Sequence, residues 1–175
     1  MASEIRGSDN FDTATVGITS GTSVATTSGT SIDFTGIPAG TKRITVMFSG
    51  VSTNGTSNLL LQIGSSTITT TAYASAGVAA QSSASGSPAA STTIGFLATA
   101  AINVVSSIQT GGVILTLLTT NKWVSFATVS DGGGARGNVC GGTSPTLGGE
   151  LDRVRITTVN GTDTFDAGSI NILYE

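Results

Sequence analysis

The clearest alternation along the chain lies at residues 43–49, where Ile44, Val46 and Phe48 fall on one side of an extended backbone and Arg43, Thr45 and Ser49 mostly on the other. That period of two predicts a half-buried strand. Residues 152–157 repeat it, with Val154 and Ile156 inward and Arg153 and Arg155 sharing the outer face, so a slip of one residue would bury both arginines. Runs at 58–63, 112–119, 122–129 and 168–174 are apolar on both faces, which predicts strands that pack in a sheet and also meet a partner surface. Shorter β-branched runs at 31–34, 67–73 and 92–97 are bounded by Gly or Ser. Asn54-Gly55, Asn160-Gly161 and Asn121 supply the positive φ angles that tight turns need. The Ala-rich stretch at 98–106 suits one short helix or a strand, and no long segment has a period near 3.6. The expected fold class is all-β: an antiparallel, jelly-roll-like β-sandwich with little helix.

Two segments lack apolar alternation. Residues 74–91 form an Ala/Ser/Gly tract with one proline, and residues 131–149 are dense in glycine. Both read as loops, and long loops in a compact domain are frequent contact surfaces, with solvated variable loops as the alternative. Residues 1–27 are polar and weakly periodic apart from 14–18, and read as an N-terminal arm whose strand could pair with a neighbouring subunit. The sandwich domain then spans residues 28–175. No repeat of solenoid or propeller length is visible.

Composition narrows the function. Only 10% of residues are charged, so neutral polar groups must keep the surface soluble. A net charge of −3 leaves no basic stripe for nucleic acid. No apolar run approaches the roughly 20 residues of a membrane span, and Met1-Ala2-Ser3-Glu4-Ile5-Arg6 lacks a signal's apolar stretch, which points to synthesis in the cytoplasm. The single Cys140 permits no intrachain disulfide, and between Val139 and Gly141 it reads as a small apolar residue. The absence of histidine excludes Ser-His-Asp and Cys-His catalysis together with imidazole zinc sites, and no cofactor is expected.

The candidate ligand contacts are Trp123, Asp131, Arg136, Arg153 and Arg155. If Val124 and Phe126 face the core, Trp123 points outward with Ser125 and Ala127 toward solvent, another subunit or a glycan; in the other phase it fills a core or an interface. Arg153 and Arg155 could clamp a carboxylate or sulfate through their planar forks, or form a solvated face bridged to acids such as Glu150. Asp131 and Arg136 belong to the glycine-rich stretch Asp131-Gly132-Gly133-Gly134-Ala135-Arg136-Gly137, which matches no phosphate-cradling pattern and reads as a mobile loop. Asp163-Thr164-Phe165-Asp166 after Asn160-Gly161 could offer oxygens to calcium, although an Asx-stabilised turn is the commoner outcome.

Gly29-Thr30-Ser31-Ile32-Asp33-Phe34-Thr35-Gly36-Ile37-Pro38, continuing into Lys42-Arg43-Ile44-Thr45-Val46, resembles the opening of a module found at the ends of tailed-bacteriophage tail-fibre proteins. Leu151-Asp152-Arg153-Val154-Arg155-Ile156-Thr157-Thr158 and Asp163-Thr164-Phe165-Asp166-Ala167-Gly168-Ser169-Ile170-Asn171-Ile172 are similar to its end. The first six residues also resemble the start of many phage fibre proteins, with a departure at Gly7. The resemblance implies a jelly-roll-like component of the virion surface, in tail or capsid, often trimeric, joined to other virion proteins through the arm and touching host-surface glycan. It carries over no catalytic residues. Attachment to glycan is the first functional reading, an architectural part such as a capsid decoration or tail-assembly protein the second, and a glycan depolymerase the third.

Overall fold

The structure, a computed structural model, describes residues 17–81, 88–102, 104–105, 107–133 and 135–175. Within them every helix or strand element is a strand. The chain runs through β1 (Thr19–Ser20), β2 (Val24–Ala25), β3 (Ser31–Thr35), β4 (Arg43–Thr53), β5 (Leu59–Ser65), β6 (Thr67–Ile68) and β7 (Ala74–Gln81). It continues through β8 (Ala89–Thr92), β9 (Phe96–Leu97), β10 (Gln109–Thr119), β11 (Lys122–Asp131), β12 (Arg136–Thr143), β13 (Arg153–Thr158) and β14 (Phe165–Tyr174). The larger sheet has the order β1-β14-β4-β10-β11-β12-β7-β8, with β2 also on β14; the smaller has β3-β13-β5-β6, with β9 on β5. Every pairing is antiparallel. The all-β sandwich expected from the alternation is the observed architecture.

Side-chain alternation explains the packing. Ile44, Val46 and Phe48 of β4 turn inward and stand beside Val113 and Leu115 of β10 and Ile170 and Ile172 of β14. From the smaller sheet, Ile32, Phe34, Leu61, Ile63, Val154 and Ile156 meet them in one continuous core. Burying such side chains is the main favourable term in folding, at about 1.5–3 kcal/mol each. β5 is buried on both faces: β9 pairs along its edge, Leu97 opposite Leu60, and residues 94–95 just before β9 reach its outer side, where Gln62 Nε2 donates to the Ile94 carbonyl at 2.9 Å and Gly95 packs against the Leu60 side chain. The partner surface predicted for that strand is therefore part of its own chain.

Several expectations need correction. The tract at 74–91 is not a loop, since β7 and β8 occupy its ends, and residues 131–149 contain β12. β7 pairs with β12 from Gln81↔Arg136 to Ala74↔Thr143. Ala, Ser and Gly differ so little in hydropathy that inward Ser75, Gly77 and Ala79 could not be told from outward Ala74, Ala76 and Val78. The helix or strand at 98–106 is absent from its described residues. Asn138 Oδ1 accepts from the Ala100 and Ala101 amides at 2.8 and 3.2 Å, and the Ala98 amide donates to the Leu59 carbonyl, so donors a helix would need are held elsewhere. The run at 67–73 is strand only at β6, because Ser66 and Ala72 take φ of 61° and 62°, where Cβ sterics oppose extended backbone. Likewise the run at 92–97 is broken by bends between β8 and β9.

The turn residues behave in two ways. Asn121 and Gly161 adopt positive φ of 56° and 70°, as their turns require. Gly55 does not; it is needed because a Cβ there would collide with the Asp163 carboxylate. β1 and β2, inside the segment read as an arm, pair with β14 of the same chain. The strand expected at 14–18 falls largely outside the described residues.

Candidate functional site

Where β10 turns into β11, the sandwich end opens into a pocket of about 390 Å³. Leu117, Leu118 and Leu151 give it apolar walls, and Trp123 closes its inner side. Thr41, Thr119, Thr120 and Asn121 bring hydroxyls and an amide, while Lys42 and Glu150 add one charge of each sign. Neither Lys42 nor Glu150 is ion-paired within the described residues. Apolar walls with a few converging polar groups are the usual make-up of a small-ligand pocket.

The walls are held by backbone hydrogen bonds from three segments. The Leu117 amide donates to the Lys42 carbonyl at 2.8 Å, and the Leu147 amide donates to the Asn121 carbonyl at 2.9 Å. Ser144 binds Trp123 twice, its amide donating to the Trp123 carbonyl and its Oγ accepting from the Trp123 amide. The hairpin is thereby tied on both sides, so the pocket is shaped before a ligand arrives.

Trp123 is only 2% exposed, with Nε1 buried and lacking a hydrogen-bond partner. The structure takes the opposite strand phase from the one that would present the ring outward: Trp123, Ser125, Ala127 and Val129 turn in, and Phe126 turns out at 63% exposure. Pairing explains the choice, since Leu115 and Val113 face the core opposite Ser125 and Ala127 and fix the phase of β11. Trp123 therefore reaches a ligand only as a pocket wall.

The other sequence candidates lie elsewhere. Asp131 stands eight residues beyond Trp123 on β11, roughly 27 Å away at about 3.4 Å per residue. It is buried, and it accepts hydrogen bonds from Ser107 Oγ at 2.9 Å and the Gly133 amide at 3.1 Å. Those bonds make it an anchor of the β11–β12 turn. Arg136 pairs with Asp131 in the register and is half-buried, its Nε and Nη1 without hydrogen-bond partners.

Arg153 and Arg155 lie on the outer face of the smaller sheet, and each fork is already filled. Arg153 donates through Nε and Nη2 to Asp152 at 2.7 and 3.1 Å; Arg155 donates likewise to Asp33 at 2.8 and 2.7 Å. The clamp for an external anion is thus replaced by two internal carboxylates, neither of them Glu150. Hydrogen bonding to Arg153 holds the Asp152 carboxyl below its ordinary range, helped by the Ser66 amide. At the Asn160 turn, Asn160 Oδ1 accepts from the Thr162 and Asp163 amides, and Asp163 Oδ2 accepts from the Ser57 amide at 3.0 Å. This is the Asx-stabilised turn. Among the described residues no three His, Cys, Asp or Glu side chains group as metal ligands.

Sequence reading did not bring Lys42, Leu117, Leu118 and Glu150 together, because they come from three distant segments, and it weighed Glu150 only as a partner of the arginines or of Asp152. The positive-φ Asn121 between two apolar runs was the available signal, because it marks the hairpin tip that forms the pocket's roof. No protein-family model, curated protein or solved structure matches this chain.

Proposed function

We propose that the chain is a bacteriophage virion structural protein, a tail-fibre-like module that attaches to host-surface glycan through the pocket at the β10–β11 hairpin. The pocket carries this reading: leucine walls suit the C–H faces of a sugar ring, and the hydroxyls, Asn121 amide, Lys42 and Glu150 suit its hydroxyl edges. The described surface is sparsely charged, which fits contact with neutral polysaccharide better than with nucleic acid. Many copies on one particle would raise a weak single-site affinity by avidity.

The test is adsorption of purified protein to host cells and to isolated surface polysaccharides, on the parent chain and on Leu118→Arg. Leu118 is exposed at the pocket edge, so the substitution blocks the opening without emptying the core. Binding by the parent and its loss in the variant is expected. No binding at high avidity would remove the attachment role.

An architectural role, as capsid decoration or tail-assembly part, is the second reading. It is favoured by the outer face of the larger sheet, where Phe126 and Val139 stand exposed.

A further inference from the structure

The outward positions of β4, β10, β11, β12, β7 and β8 form a surface with a peculiar composition. The row Thr45, Ile114, Phe126, Gly141, Ala76, Ser91 crosses it from strand to strand, and the next row reads Met47, Gly112, Thr128, Val139, Val78, Ala89. Phe126 is 63% exposed, Val139 58% and Val78 40%. Arg43, ion-paired with Glu175 at 3.3 Å, and Lys122 lie at one end, and among the described residues no other charged side chain stands at the outward positions of these six strands.

Two glycines point to what approaches it. Glycine inside a strand weakens it, and often marks a place where another backbone comes close. Gly137 and Gly141 have no internal reason to be glycine: neither has positive φ, a Cβ on Gly137 would meet nothing within 4 Å, and one on Gly141 would make ordinary contact with the Ser125 carbonyl at 3.4 Å. By contrast Gly77 and Gly142, on the inner face, leave no room for a Cβ. Phe126 thus stands as a ridge beside a shallow strip at Gly141 and Ala76.

We infer that this face pairs with a second copy of the same chain, sheet against sheet. A ridge beside a matching hollow is self-complementary about a two-fold axis: Phe126 of each copy settles over Gly141 and Ala76 of the other. Five strands about 4.8 Å apart and about 8 residues long present roughly 650 Å², and six present roughly 780 Å², close to the about 800 Å² per partner of a stable interface. The axis that makes this exchange runs along the strands between β11 and β12; it sets Arg43 of the two copies at opposite edges of the face, each beside its own Glu175, and leaves Lys122 at the strand ends. One apolar face gives two-fold pairing, where the fibre resemblance suggests three copies. The inference is independent of the glycan pocket, which lies at the strand ends.

Sedimentation equilibrium on the full chain across a hundredfold concentration range tests it. The expected mass is about twice the 17.3 kDa of one chain, falling to one chain in Phe126→Lys and in Val139→Lys. Val105→Lys, at an exposed apolar position off this face, leaves the dimer intact. Circular dichroism of each variant separates loss of pairing from loss of folding, and the two face variants guard against either one failing to fold. A parent that is monomeric or trimeric, or a dimer that both folded face variants retain, would overturn the inference.

Discussion

Gly77 on β7 and Cys140 on β12 face one another across the larger sheet, so closely that a Cβ at position 77 would collide with the Cys140 sulfur. The pair seats two strands whose sequences show almost no hydrophobic alternation. Gly77→Ala is expected to cost about 2 kcal/mol through overpacking. Cys140→Ala alone should cost about 1 kcal/mol, and in the double variant it should recover part of the Gly77→Ala loss, because the added methyl then has space. Urea unfolding of the four proteins measures the coupling; strict additivity would mean that the contact is absent.

Burial also sets an alkaline limit. Desolvation pushes the Cys140 thiol up to about 11 and the Tyr73 phenol up to about 12, the latter partly opposed by its hydrogen bond with the Ile63 backbone. Both groups bind protons more tightly folded than unfolded. Their contribution is therefore complete below the unfolded values near 9 and 10, and is lost as pH rises toward the folded ones. Stability should fall by about 2 kcal/mol between pH 9 and 11 from Cys140 alone. Cys140→Ala should flatten that part of the profile, and native Cys140 should react with thiol reagents at pH 8 far more slowly than in urea.

Asn138 is buried among apolar side chains and spends its whole amide on backbone: Oδ1 takes the Ala100 and Ala101 amides, and Nδ2 donates to the Val129 carbonyl at 3.2 Å. Asn138→Leu keeps the bulk and strands two amides and a carbonyl. A loss of about 3 kcal/mol or more is expected, with faster hydrogen exchange concentrated at residues 98–102. Uniform acceleration across both sheets would place the role of Asn138 elsewhere.

The Arg155–Asp33 pair should matter much less. It joins β13 to β3 with good geometry, but both side chains remain more than a third exposed. Arg155→Met is expected to change stability by less than about 1 kcal/mol, with the difference shrinking in 0.5 M salt. A larger, salt-insensitive loss in thermal melts would contradict that.

Legibility followed side-chain contrast. β4 and β13 could be read because Ile, Val and Phe alternate with Arg, Thr and Ser, which differ sharply in transfer free energy. β7 and β12 could not, because they set Ser75, Gly77, Asn138 and Cys140 inward and Ala76, Val78 and Val139 outward, so contrast along the strand is weak or inverted. β11 was recognised as a strand but not in phase, since apolar residues occupy both faces and only Leu115 and Val113 on its neighbour decide which side is core. The five candidate ligand residues were chosen for chemical type. Three-dimensional pairing then assigned Asp131, Arg153 and Arg155 to internal bonds and left Trp123 alone beside a pocket.

Trp123 is the chain's one tryptophan, so its emission reports the proposed glycan pocket without a label. The direct measurement is fluorescence titration with lipopolysaccharide O-chain, capsular polysaccharide and peptidoglycan fragments purified from the host bacterium, in the parent chain and in Leu118→Arg. A saturable change in emission with one of these, absent in the variant, is the expected result. Glycan that adsorbs to the protein while leaving Trp123 emission unchanged, or that binds parent and variant equally, would contradict attachment through this pocket.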